Sequence, residues 1–159
     1  MNLAPLFDTV RSFGPLILRL GLAIVIFPHG AQKVLGLFGG SGLAGTMGFF
    51  TQTLHIPYAL ALVAVLTEFF APIALFLGFF TRLASLALVV QFVTAAILGG
   101  HLAHGFFINW AGNQKGEGIE FHILVVASAL ALMIMGAGRW AIDGWIARNM
   151  HPEEPRRGR

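Results

Sequence analysis

Between Tyr58 and Phe80 lie 23 residues whose only charged side chain is Glu68. A helix of ~20 apolar residues crosses the hydrocarbon layer of a bilayer, so this run constrains the chain more than any motif does. A carboxylate near the middle of such a span is costly without a partner, water or a proton. Pro72 adds to the difficulty. It follows Glu68 by one helical turn, has no N–H for the Glu68 carbonyl, and crowds that carbonyl with its ring. A side-chain acid and a freed backbone acceptor therefore meet at one depth, and both need polar company.

The rest of the chain is as apolar as this run implies. Of its 159 residues 57% are hydrophobic and 11% charged, and mean hydropathy is +0.79. Water-soluble domains carry roughly 25% charged residues, so an integral membrane protein is expected. There is no cysteine, which excludes disulfides, thiolate catalysis and cysteine-held metal or iron–sulfur centres. The basic balance does not point to nucleic acid, because the arginines crowd beside apolar spans, as membrane flanks do.

Four spans are predicted: Gly14 to Val34, Tyr58 to Phe80, Leu83 to Leu102, and Ile119 to Gly138. Residues 1–13 read as a short amphipathic lead-in, and the first span, lacking an A-x-A cleavage site, as a retained helix. From Gly36 to Pro57 the chain is first glycine-rich. Leu43, Met47, Phe50 and Leu54 then recur at helical spacing, which predicts a short interfacial helix between spans one and two. The expected fold is thus all-α, a polytopic four-transmembrane-helix bundle over residues 1–145, with 146–159 a basic flexible cytoplasmic tail.

Four spans place both termini on one side. Arg11, Arg82, Arg139, Arg148, Arg156, Arg157 and Arg159 share that side, against Lys33 and Lys115 opposite, so both termini are expected in the cytoplasm. Counted from the outer ends of their spans, Glu68 and Gln91 both lie roughly 16 Å deep, and Arg19 roughly 22 Å. On that count Arg19, Glu68 and Gln91 share a buried polar cluster. It either fixes helix packing as an Arg–Glu pair or leaves Glu68 free to carry a proton.

A second cluster is expected at the outer face, where His29, His55, His101, His104 and His122 fall with Lys33, Asn109, Lys115, Glu117 and Glu120. His29 and Lys33 share one helical face, as do His101 and His104. Imidazoles suit proton exchange near neutral pH, but interfacial histidines also serve as ordinary hydrogen-bonding residues. No H-E-x-x-H or H-x-x-E-H pattern occurs, so no metal ligand set is assigned. Gly39-Gly40-Ser41-Gly42 reads as a turn, since no GK[ST] follows it.

In order along the chain stand Arg19-x-Gly21, Pro28-His29-Gly30-x-x-Lys33, Phe49-Phe50 and Glu68. After them come Leu77-Gly78-Phe79-Phe80-Thr81-Arg82, His104-Gly105-Phe106-Phe107 and Glu120. With these pieces the sequence resembles the DoxX family of small four-span membrane proteins, nearly everywhere from Gly14 to Asp143. The resemblance implies a helical bundle in the bacterial inner membrane, with a quinone-linked role as subunit of an oxidoreductase or oxidative-stress complex. Glu68 and Arg19 would then be catalytic, carrying a proton and stabilising negative charge. His29, Lys33, Gln91, His104 and Glu120 would bind the quinone. Electrons would come from a redox or stress-response partner protein, and a homo-oligomer is compatible with so small a bundle. The alternative is a non-enzymatic scaffold or assembly factor that recruits partners, and a small carrier is a third reading.

Overall fold

The computed structural model describes residues 4–150. It contains helices α1 (Ala4–Phe7), α2 (Gly14–Leu35), α3 (Gly42–Gly48), α4 (Tyr58–Leu77), α5 (Thr81–Leu98), α6 (Glu120–Met135) and α7 (Ile142–Met150). No strand occurs among the described residues. At 22, 20 and 18 residues, α2, α4 and α5 are long and apolar enough to cross a membrane. The 16 residues of α6 form a shorter apolar helix, about 24 Å long. The chain is a helical membrane bundle. The fourth apolar segment ends three residues before the expected Gly138 boundary, because Gly136 leaves the helix with φ 74°. Residues 136–141 form a non-helical link instead.

Each of these four helices packs on the next, and α6 closes the ring against α2. Leu22, Ile26, Leu75, Leu88, Phe92 and Leu132 form the core with alanines from all four, including Ala23, Ala71, Ala84 and Ala129. Small residues at such crossings let backbones approach, which in lipid is a main source of helix association. Other large apolar side chains face outward: Ile17, Ile24, Val90, Leu124 and Ile134 are exposed. An apolar exterior over a core that also buries Arg19, Glu68, His122 and Asp143 suits a bilayer and not water.

The expected interfacial segment is helical but broken. A 3-10 turn at Leu37–Gly39 precedes α3, and a π-helical turn at Phe49–Thr53 follows it. Met47 anchors this segment on α4 through Ala61 and Val65, with Phe50 packed beside it. Residues 146–150 of the expected tail continue α7, and 151–159 lie outside the described residues.

The closest approach of α2 and α4 sets the register of the bundle. A Cβ on Gly30 would lie 2.3 Å from the Glu68 carbonyl oxygen and 2.6 Å from Phe69 Cα, so only glycine fits. The carbonyl involved is the one that Pro72 deprives of its helical donor. With Gly30 level with Glu68 and Phe69, α4 extends about six residues, or ~9 Å, beyond the end of α2. Counting both spans from a common outer plane therefore misaligns them. Arg19, eleven residues before Gly30, falls level with the C-terminus of α4 and not with Glu68. The expected Arg19–Glu68–Gln91 cluster does not form.

Candidate functional site

Buried charges at both ends of the bundle remain to be satisfied. Arg19, 1% exposed, lies at the end that carries α1 and α7. Its Nε donates to the Ala137 carbonyl at 3.1 Å. Nη1 donates to Leu75 and Phe76 at 3.0 and 2.6 Å, and Nη2 to Arg139 and Trp140 at 3.1 and 2.5 Å. A guanidinium has five N–H donors, and here five carbonyls receive them. Leu75 and Phe76 are among the last carbonyls of α4, at the negative end of its dipole, and the Leu75 oxygen also accepts from the Gly78 N–H at 3.1 Å. Arg19 thus ties α2 to the end of α4 and to the link after α6. Asp143, 1% exposed, fastens the same end by accepting from the Phe80 and Thr81 N–H groups at 2.7 and 2.8 Å. Gly78, with φ 63°, lets the turn pass against Ala141, where a Cβ would come within 2.5 Å.

Glu68 occupies the other end. It is 5% exposed, and its Oε1 accepts from Lys33 Nζ at 2.5 Å, the one ion pair among the described residues. The Gly30 crossing explains the pairing, because it brings Lys33, three residues further along α2, within side-chain reach of Glu68. A cavity of about 390 Å³ opens on this pair. His29 and Lys33 of α2, Glu68 of α4, Gln91 and Phe92 of α5, and Phe121 and His122 of α6 line it. His101, Ile108, Glu117 and Gly118 from the α5–α6 connection complete the wall. Apolar surface from Phe92, Ala95, Ile108 and Phe121 is interleaved with polar side chains contributed by every element of the wall, a mixture that suits a small-molecule site.

The imidazoles are graded in exposure. His29 is exposed at the mouth, whereas His122 is 9% exposed and its Nδ1 has no partner among the described residues. The His122 and His101 rings lie 4.4 Å apart between centroids. His101 Nδ1 is 2.9 Å from the Glu117 carbonyl. A carbonyl only accepts, so Nδ1 carries the hydrogen, and in the neutral ring Nε2 is left as the acceptor. Lys33 gives one N–H to Glu68 and retains two for a ligand. Gln91 makes no hydrogen bond to another described residue, and its amide is a further free donor and acceptor on the wall.

Of the residues expected to act, the cavity brings together Glu68, His29, Lys33 and Gln91. Arg19 is held at the far end. His104 lies away from the cavity and packs on Gly116, where a Cβ would come within 2.4 Å of its ring. Glu120 braces the connection: its Oε1 accepts from Ile108 N at 3.1 Å, while its own N–H donates to Phe106 O at 2.8 Å. His101 and His122 carry more of the site than the sequence reading gave them. Asp143 was not singled out, and nothing in the sequence alone distinguishes it from Glu153 and Glu154, the other acids of the C-terminal stretch. No three His, Cys, Asp or Glu side chains among the described residues converge to hold a metal ion.

The DoxX family model matches residues 14–105, more than half of the chain. This protein belongs to the DoxX family. It is also 26% identical over 140 residues to inner membrane protein YphA of Escherichia coli (strain K12), covering 86% of this chain and 93% of that relative. No solved structure matches it. The DoxX match contains α2, α4 and α5, and with them Lys33, Glu68 and Gln91. The wall formed by Glu117, Phe121 and His122 lies beyond the matched residues.

Proposed function

We propose that this DoxX-family protein is a quinone-linked membrane subunit whose quinone headgroup site is the Lys33–Glu68 cavity. The observation that carries this reading is a buried acid paired with a lysine on a cavity large enough for a ring and lined by aromatic as well as polar side chains. A quinone, when bound, supplies the electron acceptor and takes up electrons and protons in equal number. The chain itself supplies the surroundings. Phe92 and Phe121 offer flat apolar faces to a ring. Lys33 directs its spare N–H groups at a carbonyl oxygen, the role first expected of Arg19, and Gln91 orients the same edge. Glu68 holds a proton at Oε2 when Lys33 turns from it to the ligand, and His101 and His122 exchange protons with the mouth at His29. The chain has no cysteine to form a thiol redox centre, and in this reading electrons come from a partner protein. The arginine bias and the name of the YphA relative support a place in the inner membrane with both termini in the cytoplasm.

Native mass spectrometry on protein extracted from its own membrane in mild detergent tests this. A retained mass equal to a quinone is expected, lost in Glu68→Gln at unchanged melting temperature. If wild type carries no quinone, and Glu68→Gln instead releases a bound protein without redox chemistry, the scaffold reading replaces this one.

A further inference from the structure

An open basin of about 990 Å³ lies at the opposite end of the bundle from Glu68. Arg11 from the segment before α2, Arg139 from the α6–α7 link and Arg148 from α7 line it, with Asp8. Three positive charges less one negative leave a formal +2. None of these arginines has an acidic partner within ion-pair distance among the described residues. The basin is already shaped. Arg139 N–H donates to Ser12 O at 3.1 Å, its carbonyl is held by Arg19, and Gly138 N–H donates to Thr9 Oγ1 at 2.5 Å. The Arg139 guanidinium lies 4.6 Å over the Phe13 ring. Stacking occupies the face of a guanidinium and leaves its in-plane N–H donors to a ligand.

The surroundings place the basin at a membrane boundary. Trp140 and Trp145 are 78% and 61% exposed beside it, and Trp140 meets Phe13 edge-on at 5.6 Å. Exposed tryptophans belong at the headgroup level of a bilayer. Ile17, one turn after Phe13 and exposed, continues the apolar surface down α2. We infer that this basin binds a glycerophosphate anion. The arginines take the phosphate, and Asp8 accepts from hydroxyls beside it. The same chemistry reaches the site either as the headgroup of phosphatidylglycerol, with its chains along Phe13 and Ile17, or as soluble glycerol phosphate.

Native mass spectrometry of the full chain released from nanodiscs of equal phosphatidylglycerol and phosphatidylcholine distinguishes these sources. Each arginine near an anionic surface contributes about a five-fold preference, so Arg11→Gln/Arg148→Gln lowers phosphatidylglycerol retention roughly 25-fold. Phosphatidylcholine retention stays as it was. If the double variant melts early, Arg148→Gln alone, on the exposed surface of α7, is read for a five-fold loss. Glycerol phosphate displacing the lipid, or binding where no lipid preference exists, assigns the site to the soluble anion. Equal retention of both lipids with no glycerol phosphate binding overturns the inference. So does a preference that survives the double variant and disappears in Arg156→Gln/Arg157→Gln/Arg159→Gln.

Discussion

Arg19 and Glu68 are both ionisable, both inside an apolar bundle and both nearly inaccessible, yet their surroundings differ in kind. Arg19 is saturated: each N–H meets a carbonyl, and nothing is left for a ligand. Glu68 has one partner, a lysine with donors to spare, and a cavity beside it. Burial and charge alone do not mark a reactive group. Unused hydrogen-bonding capacity beside free volume does: of these two buried residues the Glu68–Lys33 pair has both, and Arg19, with every donor engaged, does not.

Substitutions that treat the two ends alike should break this contrast if it is wrong. The largest expected effect is Arg19→Leu, which strands carbonyls of α4 and of the link after α6 and costs about 4 kcal/mol or more, each buried orphan costing ~1–3 kcal/mol. Arg19→Lys, with three donors for five acceptors, should recover only part of that. Thermal melts in detergent read both. Next is Gly30→Ala. Its Cβ would press on the backbone of Glu68 and Phe69, and overpacking of this kind costs about 3 kcal/mol. Because that crossing also sets the Lys33–Glu68 pair, Gly30→Ala should lose ligand binding along with stability. Asp143→Asn follows, weakening two charge-assisted bonds at the start of α5 for about 2 kcal/mol. It should leave the histidine end untouched, so an unchanged quinone affinity in Asp143→Asn sharpens the separation. Glu68→Gln is expected to be mildest for stability, within about 1 kcal/mol, since an amide keeps an acceptor for Lys33.

Much of the fold was legible because its strongest signal is length. Apolar runs at Gly14, Tyr58 and Leu83 could hardly be anything but spans, and the helical spacing of Met47 and Phe50 placed the short segment between two of them. The arrangement of the site was only half legible. Pairing Arg19 with Glu68 rested on depths within side-chain reach of each other when counted from equal span ends, and no residue pattern shows that α4 overshoots α2. That offset comes from Gly30, a close contact visible only once both helices are in place. Lys33 was assigned to the outer histidine cluster and not to Glu68 for the same reason. His122 and His101 stood in the sequence as two of several histidines, and ring proximity alone separates them from His104.

The most direct measurement is a titration of purified protein with a short-chain quinone, run in parallel on wild type, Glu68→Gln and Asp143→Asn, with melting temperatures recorded for each. The expected result is at least a ten-fold loss of affinity in Glu68→Gln at a near-wild-type melting temperature, while Asp143→Asn melts earlier and binds normally. Equal affinity in all three, or a loss that simply follows the melting temperature, would contradict the assignment of ligand chemistry to the Glu68 end.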